Sequence, residues 1–307
     1  MALTQAQVEE RVNYCGGSDA AAILGLSPWK TVLSVWAEKT GQVPAEDISG
    51  KLQVKLGTKM EGIVADLYIE KTGRTLHRKN ETMYHSKYPF LAANIDRRIV
   101  GMRAGFEAKT TAAWSADKWA DGKTPVEYEV QCLHYLMVTG WDFWDLAVII
   151  GNQDVQYRTF TRDEAILKSM EEKLVHFWKT FVEPKVMPGI ITRNDGDVLF
   201  KLFPHGQDEE VALEDEADAL AESIEGMNAD YKNLEGQIDK AKNELKAMLK
   251  DNAAGRTPGG RLVTWKDESK KRIDMDKLKT EQADIYAQYA VEAKSRVLRI
   301  KKAKGGK

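Results

Sequence analysis

Asp96, Glu107 and Lys109 are the side chains whose types and spacing suggest chemistry. Side chains alternate along a strand, so Glu107 and Lys109 share a face. The runs FLAANIDRRIV and GFEAKTT, joined by a turn around residues 101–105, read as a hairpin whose return brings Asp96 beside that face. Two carboxylates and an ammonium on one sheet face make an oxygen-rich site suited to Mg²⁺, with Mn²⁺ able to substitute. The lysine can hold or help deprotonate a water, or offset charge on a phosphate. That set matches what metal-assisted hydrolysis of a phosphodiester needs. The spacing alone is common, and an ordinary solvent-facing strand edge also satisfies it, so its weight comes from the surrounding elements.

Ser18 and Asp19 precede AAAILGLS and predict a short capped helix. TVLSVWAEKTG reads as a second helix closed by Gly41. LGTKMEGIVADLYIEKTG reads as an amphipathic helix with Leu56, Met60, Ile63 and Leu67 on its apolar face and Gly73 as its stop. TMYHS adds a strand, VEYEVQCLHYLMVTG a helix, WDLAVIIG a buried strand and QYRTFTR another strand. DEAILKSMEEKLVHFWKTFV closes the series as a long helix. The fold class is α/β, a small mixed sheet flanked by helices.

Charge changes along the chain. The whole carries a net −2, but residues 206–250 carry −8 (13 acids, 5 bases) and residues 251–307 carry +7 (15 bases, 8 acids). This shift, with the linker-like ITRNDGDVLFKLFPHGQDEE, predicts one domain over 1–205 and a C-terminal extension over 206–307. In the extension, apolar residues recur at 4-3 spacing from Leu213 to Met248, a heptad seam predicting a coiled-coil-like helix of ~40 residues, ~60 Å long. RLVTWK reads as a strand, DMDKLKTEQADIYAQYAVEA as a helix and VLRI as a short last strand.

Other chemistries have little support. The five histidines form no H-E-x-x-H, and no Walker-type phosphate loop is present. Cys15 and Cys132 are too few for a disulfide framework and read as small packed hydrophobes. His134 reads as structural. Trp114 and Trp119 read as core first and as base-stacking groups second. Near-neutral net charge excludes nucleic-acid binding by bulk charge alone but leaves room for a local basic groove. No apolar run approaches the ~20 residues of a membrane span. No secretory signal opens the chain, and a cytoplasmic location is expected.

Residues 11–185 resemble the YqaJ-like viral recombinases, relatives of phage lambda exonuclease in the PD-(D/E)xK nuclease superfamily. GGSDAAAILGLSPWKT, LGTKMEGIVADLYIEKTG, YPFLAANIDRRIV, FEAKT and VEYEVQCLHYLMVTGWDFWDLAVIIG carry the resemblance, in that order. It implies a restriction-endonuclease-like core. Asp96 and Glu107 are implied as metal-binding carboxylates, the Ala108 carbonyl as a further ligand and Lys109 as the group that positions the attacking water. Glu61 is the implied helical carboxylate supporting the metal, and Gln131 and Tyr135 the Q-x3-Y pair flanking the site. Arg11 and Ser18 fall where such enzymes bind the DNA 5′-phosphate. The implied activity is Mg²⁺-dependent 5′-to-3′ digestion of linear duplex DNA, leaving a 3′ single strand. The implied partners are DNA ends, a single-strand annealing protein of the RecT or Bet kind, and further copies of the chain, a trimeric ring being one form. Two alternatives stand beside this: another PD-(D/E)xK DNA endonuclease, or a non-catalytic DNA-end-binding scaffold.

Overall fold

The structure, a computed structural model, describes residues 10–79, 81–189, 191–292 and 295–301. The chain divides into two compact units, Met1–Pro204 and His205–Lys307.

The first unit begins with α1 (Gly17–Ile23), α2 (Val32–Lys39) and α3 (Leu52–Thr72). Strands β1 (Leu76–Arg78), β2 (Thr82–Tyr84), β3 (Ala92–Asn94), β4 (Arg97–Ile99) and β5 (Ala104–Thr111) follow. Then come α4 (Val126–Thr139), β6 (Phe143–Ile150), β7 (Asp154–Thr161), α5 (Glu164–Phe177) and α6 (Gly196–Leu202). The main sheet has the order β1-β4-β5-β6-β7. Its β5–β6 pair is parallel, with α4 as the crossover, and the other pairs are antiparallel. β2 and β3 form a separate antiparallel ribbon.

Helices cover both faces. On one side Leu33, Trp36, Leu136 and Leu174 pack with Trp144, Leu146 and Val148 of β6. On the other, Val64, Ala65 and Tyr68 of α3 pack on Ala104, Phe106, Ala147 and Ile149. Gly105 admits the Trp144 ring, which would lie 2.2 Å from a Cβ at that position. Asp145, buried in the sheet, accepts hydrogen bonds from Tyr68 Oη (2.5 Å), Thr159 Oγ1 (2.6 Å) and Arg74, so its charge is paired.

Several elements differ from the sequence expectation. FLAANIDRRIV is two strands in two sheets, because the chain bends at Asp96. β1 was not anticipated, since three residues carry no usable period. The apolar face of α3 is rotated: Leu56 and Ile63 are exposed, while Val64 and Tyr68 are buried. α1 starts before Ser18, with Gly16 at its cap and the Asp19 carboxylate accepting from the Gly16 N–H (3.1 Å). Much of the expected linker is folded. Val198, Leu199 and Leu202 of α6 pack on the core, and buried Asp195 accepts from Thr192 Oγ1 (2.7 Å) and from Thr31.

In the second unit, α7 (Glu216–Leu249) spans 34 residues, so Leu213 of the predicted seam lies outside it. β8 (Ala254–Arg256) and β9 (Leu262–Thr264) form a hairpin. Leu249, at the end of α7, sits so close to Gly255 that a Cβ there would lie 2.9 Å from it. The predicted last helix is broken into α8 (Met275–Glu281) and α9 (Ala283–Tyr289). VLRI is not a strand. Ala293, Lys294 and residues 302–307 of the basic end lie outside the described residues.

Candidate active site

β5 carries the centre of the site. Its pairing with β4 is Arg98↔Gly105 and Arg97↔Phe106, so Asp96 and Glu107 come next in register, just past the last paired couple. In such a ladder opposed Cα atoms are ~4.5–5.5 Å apart. Beyond Phe106, β5 pairs only with β6 among the described residues, which leaves its other edge open beside Glu107.

Glu107 is buried, 4% exposed. Its Oε1 meets Lys109 Nζ at 2.7 Å and accepts from Gln131 Nε2 at 3.2 Å. Gln131 Nε2 also donates to Tyr135 Oη at 2.6 Å. The two residues are one turn apart on α4 and act as a single polar unit. Burial and the nearby Asp96 carboxylate raise the Glu107 pKa, against the pull of Lys109. Burial opposes the Lys109 charge, but Glu107 outweighs it and the lysine pKa is raised. Lys109 Nζ also lies over the Tyr128 ring, 5.0 Å from its centroid. Tyr128 was missed in the sequence, although its place three residues before Gln131 puts it on the same helix face.

Next to this cluster is a second one. Arg11 Nη2 donates to Ser18 Oγ at 2.9 Å. The adjoining Gly17 lies against α4, where a Cβ would come within 2.9 Å of Gln131 Cγ and 3.0 Å of Tyr135 Cε1. The Arg11–Ser18 pair and the Glu107 cluster are therefore joined through Gly17. Below them lies a buried ion pair. Lys39 Nζ reaches Asp19 Oδ2 at 2.7 Å and donates to the Arg11 carbonyl at 2.7 Å. Burial works against the Asp19 carboxylate, but Lys39, Lys30 and Arg11 together hold its pKa well below the usual range. Lys39 had no sequence signal: its partners come from a distant segment of the chain.

Glu61 belongs to a different element from the Glu107 cluster's helical partners. It is half-buried on α3, which covers the opposite side of the sheet. It follows by one turn Gly57, whose Cβ position faces Thr110 Oγ1 of β5 at 3.7 Å. Among the described residues no three His, Cys, Asp or Glu side chains gather closely enough to hold a cation. The oxygen donors brought together are thus Asp96 and Glu107, with Ala108 in the strand between Glu107 and Lys109. Their hard-oxygen character, with one ammonium set against two carboxylates, fits a divalent cation such as Mg²⁺.

Of the remaining candidates His134, Cys15, Cys132 and Trp119 are structural, whereas Trp114 is not the core residue expected. His134 is fully buried, its Nε2 lies 3.0 Å from the Ala92 carbonyl, and burial pushes its pKa down to about 4. Cys15 and Cys132 are buried free thiols whose pKa values burial raises. Trp119 is buried, stacked on Tyr128, and is closed to nucleobases. Trp114 is 88% exposed. No described helix is long and apolar enough to cross a membrane.

Comparison with known proteins gives the chain its relatives. Residues 8–142 match the YqaJ-like viral recombinase domain. The YqaJ protein of Bacillus subtilis (strain 168) is 32% identical over 300 residues, covering 95% of this chain and 92% of that protein. The crystal structure of an alkaline exonuclease (LHK-Exo) from Laribacter hongkongensis superposes with a TM-score of 0.52 at 16% identity, over 60% of this chain and 94% of that one. The same holds for LHK-Exo in complex with dAMP. At that identity the likeness concerns the fold alone, a mixed sheet flanked by helices. On this kinship over nearly its whole length, the chain belongs to the YqaJ family of viral recombinase-like proteins.

Proposed function

We propose that this protein is a Mg²⁺-dependent 5′-to-3′ exonuclease acting on linear duplex DNA and leaving a 3′ single strand for recombination by strand annealing. The observation that carries the reading is the Glu107 carboxylate, gripped by Lys109 and Gln131, next in register to Asp96 and linked through Gly17 to the Arg11–Ser18 pair.

Asp96, Glu107 and the Ala108 carbonyl are the groups proposed to hold the cation, with Glu61 supporting from α3. When bound, Mg²⁺ supplies Lewis acidity and an acidified water. Lys109 orients the nucleophile and offsets phosphate charge. Gln131, itself held by Tyr135, fixes the Glu107 carboxylate in one rotamer through its hydrogen bond. Arg11 supplies a fork-shaped donor set matched to a terminal phosphate, and Ser18 adds a hydroxyl. A 5′-phosphate held there sets the polarity of digestion. Contacts of this kind read the backbone, so sequence preference is low. Exposed Trp114 is available to stack on an unpaired base. The working form is proposed to be a homo-oligomer in the cytoplasm, cooperating with a single-strand annealing protein of the RecT or Bet kind.

The test is incubation of linear duplex, with and without a 5′-phosphate, in Mg²⁺ and in EDTA, beside covalently closed circular duplex. Faster digestion of the phosphorylated linear substrate in Mg²⁺, with none in EDTA and an intact circle, is the expected result. Cutting of the circle assigns the endonuclease alternative, and binding of ends without cleavage assigns the scaffold.

A further inference from the structure

The second unit presents a long apolar face that is half-buried at Ala217 and Ile224 and exposed along most of its length. Along α7, Leu220, Met227, Tyr231, Leu234, Ile238, Leu245 and Met248 are 40–76% exposed, and with Ala217, Ile224 and Ala241 they complete a strict 4-3 repeat. A helix of 34 residues runs ~50 Å, so the stripe is about as long as the helix. An isolated stripe of this regularity is the seam of a two-stranded coiled coil. We infer that α7 pairs with α7 of a second copy of this chain, antiparallel and in full overlap. This goes beyond the nuclease reading and does not depend on it.

Side-chain size selects the direction. In the antiparallel arrangement that overlaps the whole helix, Ala217 faces Met248, Ile224 faces Ala241, Tyr231 faces Leu234, Met227 faces Ile238 and Leu220 faces Leu245 of the other copy. Each alanine then meets a large partner, and the layers fill evenly. A parallel, in-register pair sets Ala217 on Ala217 and Ala241 on Ala241, leaving two voids, and forces Tyr231 against Tyr231.

Charge selects the same direction. Residues 216–235 carry six acids and one base, and residues 236–250 carry two acids and four bases. Antiparallel pairing lays the acidic half on the basic half. It puts Asp230 beside Gln237 and Glu235 beside Asn228 of the other copy. Parallel pairing sets Asp230 against Glu235 twice, a like-charge contact at the flanking positions that set orientation. The occupant that complements this stripe in both size and charge is its own reverse.

Thiol cross-linking of the full-length chain tests the pairing without reference to nuclease activity. The native Cys15 and Cys132 are buried, so engineered surface thiols react selectively. In the double variant L220C/L245C the two cysteines of one chain are ~37 Å apart along the helix, too far for a short reagent to bridge within a chain. Antiparallel pairing predicts a covalent dimer from L220C/L245C and none from L220C alone. A dimer from L220C alone means parallel pairing and overturns the proposal. No cross-link in either variant means the stripe is covered by something other than a second α7, and this also overturns it. The variant I238E/L234E changes only exposed positions, so its helix content should match the parent by circular dichroism while cross-linking of L220C/L245C is lost in that background.

Discussion

Lys109 has two roles, as partner of the buried Glu107 carboxylate and, in the proposed reaction, as a positive group offsetting charge on the reacting phosphate. Replacing it with Met keeps the aliphatic stem and removes the charge, and with it the ammonium over Tyr128. The expected result is a cleavage rate reduced by ~10²–10³-fold in single turnover, with DNA affinity by anisotropy little changed, because the loss falls on positioned charge at the reacting phosphate. Equal rates in parent and variant would refute the catalytic assignment. Asp19 gives a stability prediction. Removing its charge leaves Lys39 buried without its counter-ion, so Asp19→Asn should cost about 3–5 kcal/mol in denaturant unfolding. The folded carboxylate has a depressed pKa, so its contribution is fully present above the unfolded value of ~3.9 and is lost as pH falls below it. The stability gap between parent and Asp19→Asn should therefore narrow as the pH is lowered from 6 to 3, and a gap independent of pH would count against the ion pair. Lys39 also holds the Arg11 carbonyl, so Lys39→Met should reduce discrimination between 5′-phosphorylated and 5′-hydroxyl ends more than it reduces the rate on the hydroxyl substrate.

At the scale of elements, the close contact of β5 and β6 depends on one missing side chain. Gly105→Ala drives a methyl into the Trp144 ring, and overpacking of this kind costs ~1–3 kcal/mol or more, readable as a lower denaturation midpoint. What the sequence made legible was short-range. Glu107 and Lys109 share a face because strand period is two, and Gln131 and Tyr135 do because helix period is 3.6. Asp96 was placed by a hairpin only a few residues long, and Arg11 and Ser18 by spacing within a known motif order. What was hidden was long-range or degenerate. The pairing of Asp195 with Thr31 spans 164 residues, and that of Lys39 with Arg11 spans 28. On α3 the set Leu56, Met60, Ile63, Leu67 and the set Met60, Val64, Leu67, Tyr68 both satisfy helical spacing. Only the shape of the sheet beneath them chooses the second. The break in FLAANIDRRIV was hidden for a related reason: its residues favour extension throughout, and the division between two sheets is decided by partners, Leu76 to Arg78 on one side and Thr82 to Tyr84 on the other.

On the scale of the whole molecule, two compact units differ in kind: the first a layered α/β core, the second dominated by one long helix with an exposed stripe. A chain ending at Pro204 retains every residue of the proposed site and the core around it, so it should fold cooperatively and digest linear duplex at a rate comparable to the full chain. A truncated chain that fails to fold would mean that the second unit supplies part of the first unit's stability. With a net charge of −2, the proposed DNA binding rests on a few local cations, so affinity should fall with added salt at a slope set by those few phosphate contacts while remaining insensitive to sequence. Finally, the strand that bears Glu107 and Lys109 finds its parallel neighbour only after α4 has been made, because β6 ends at Ile150. A nascent polypeptide leaving the ribosome thus displays both carboxylates and the lysine well before their scaffold exists. Synthesis at ~5–20 residues per second sets a lag of seconds before the proposed site can assemble.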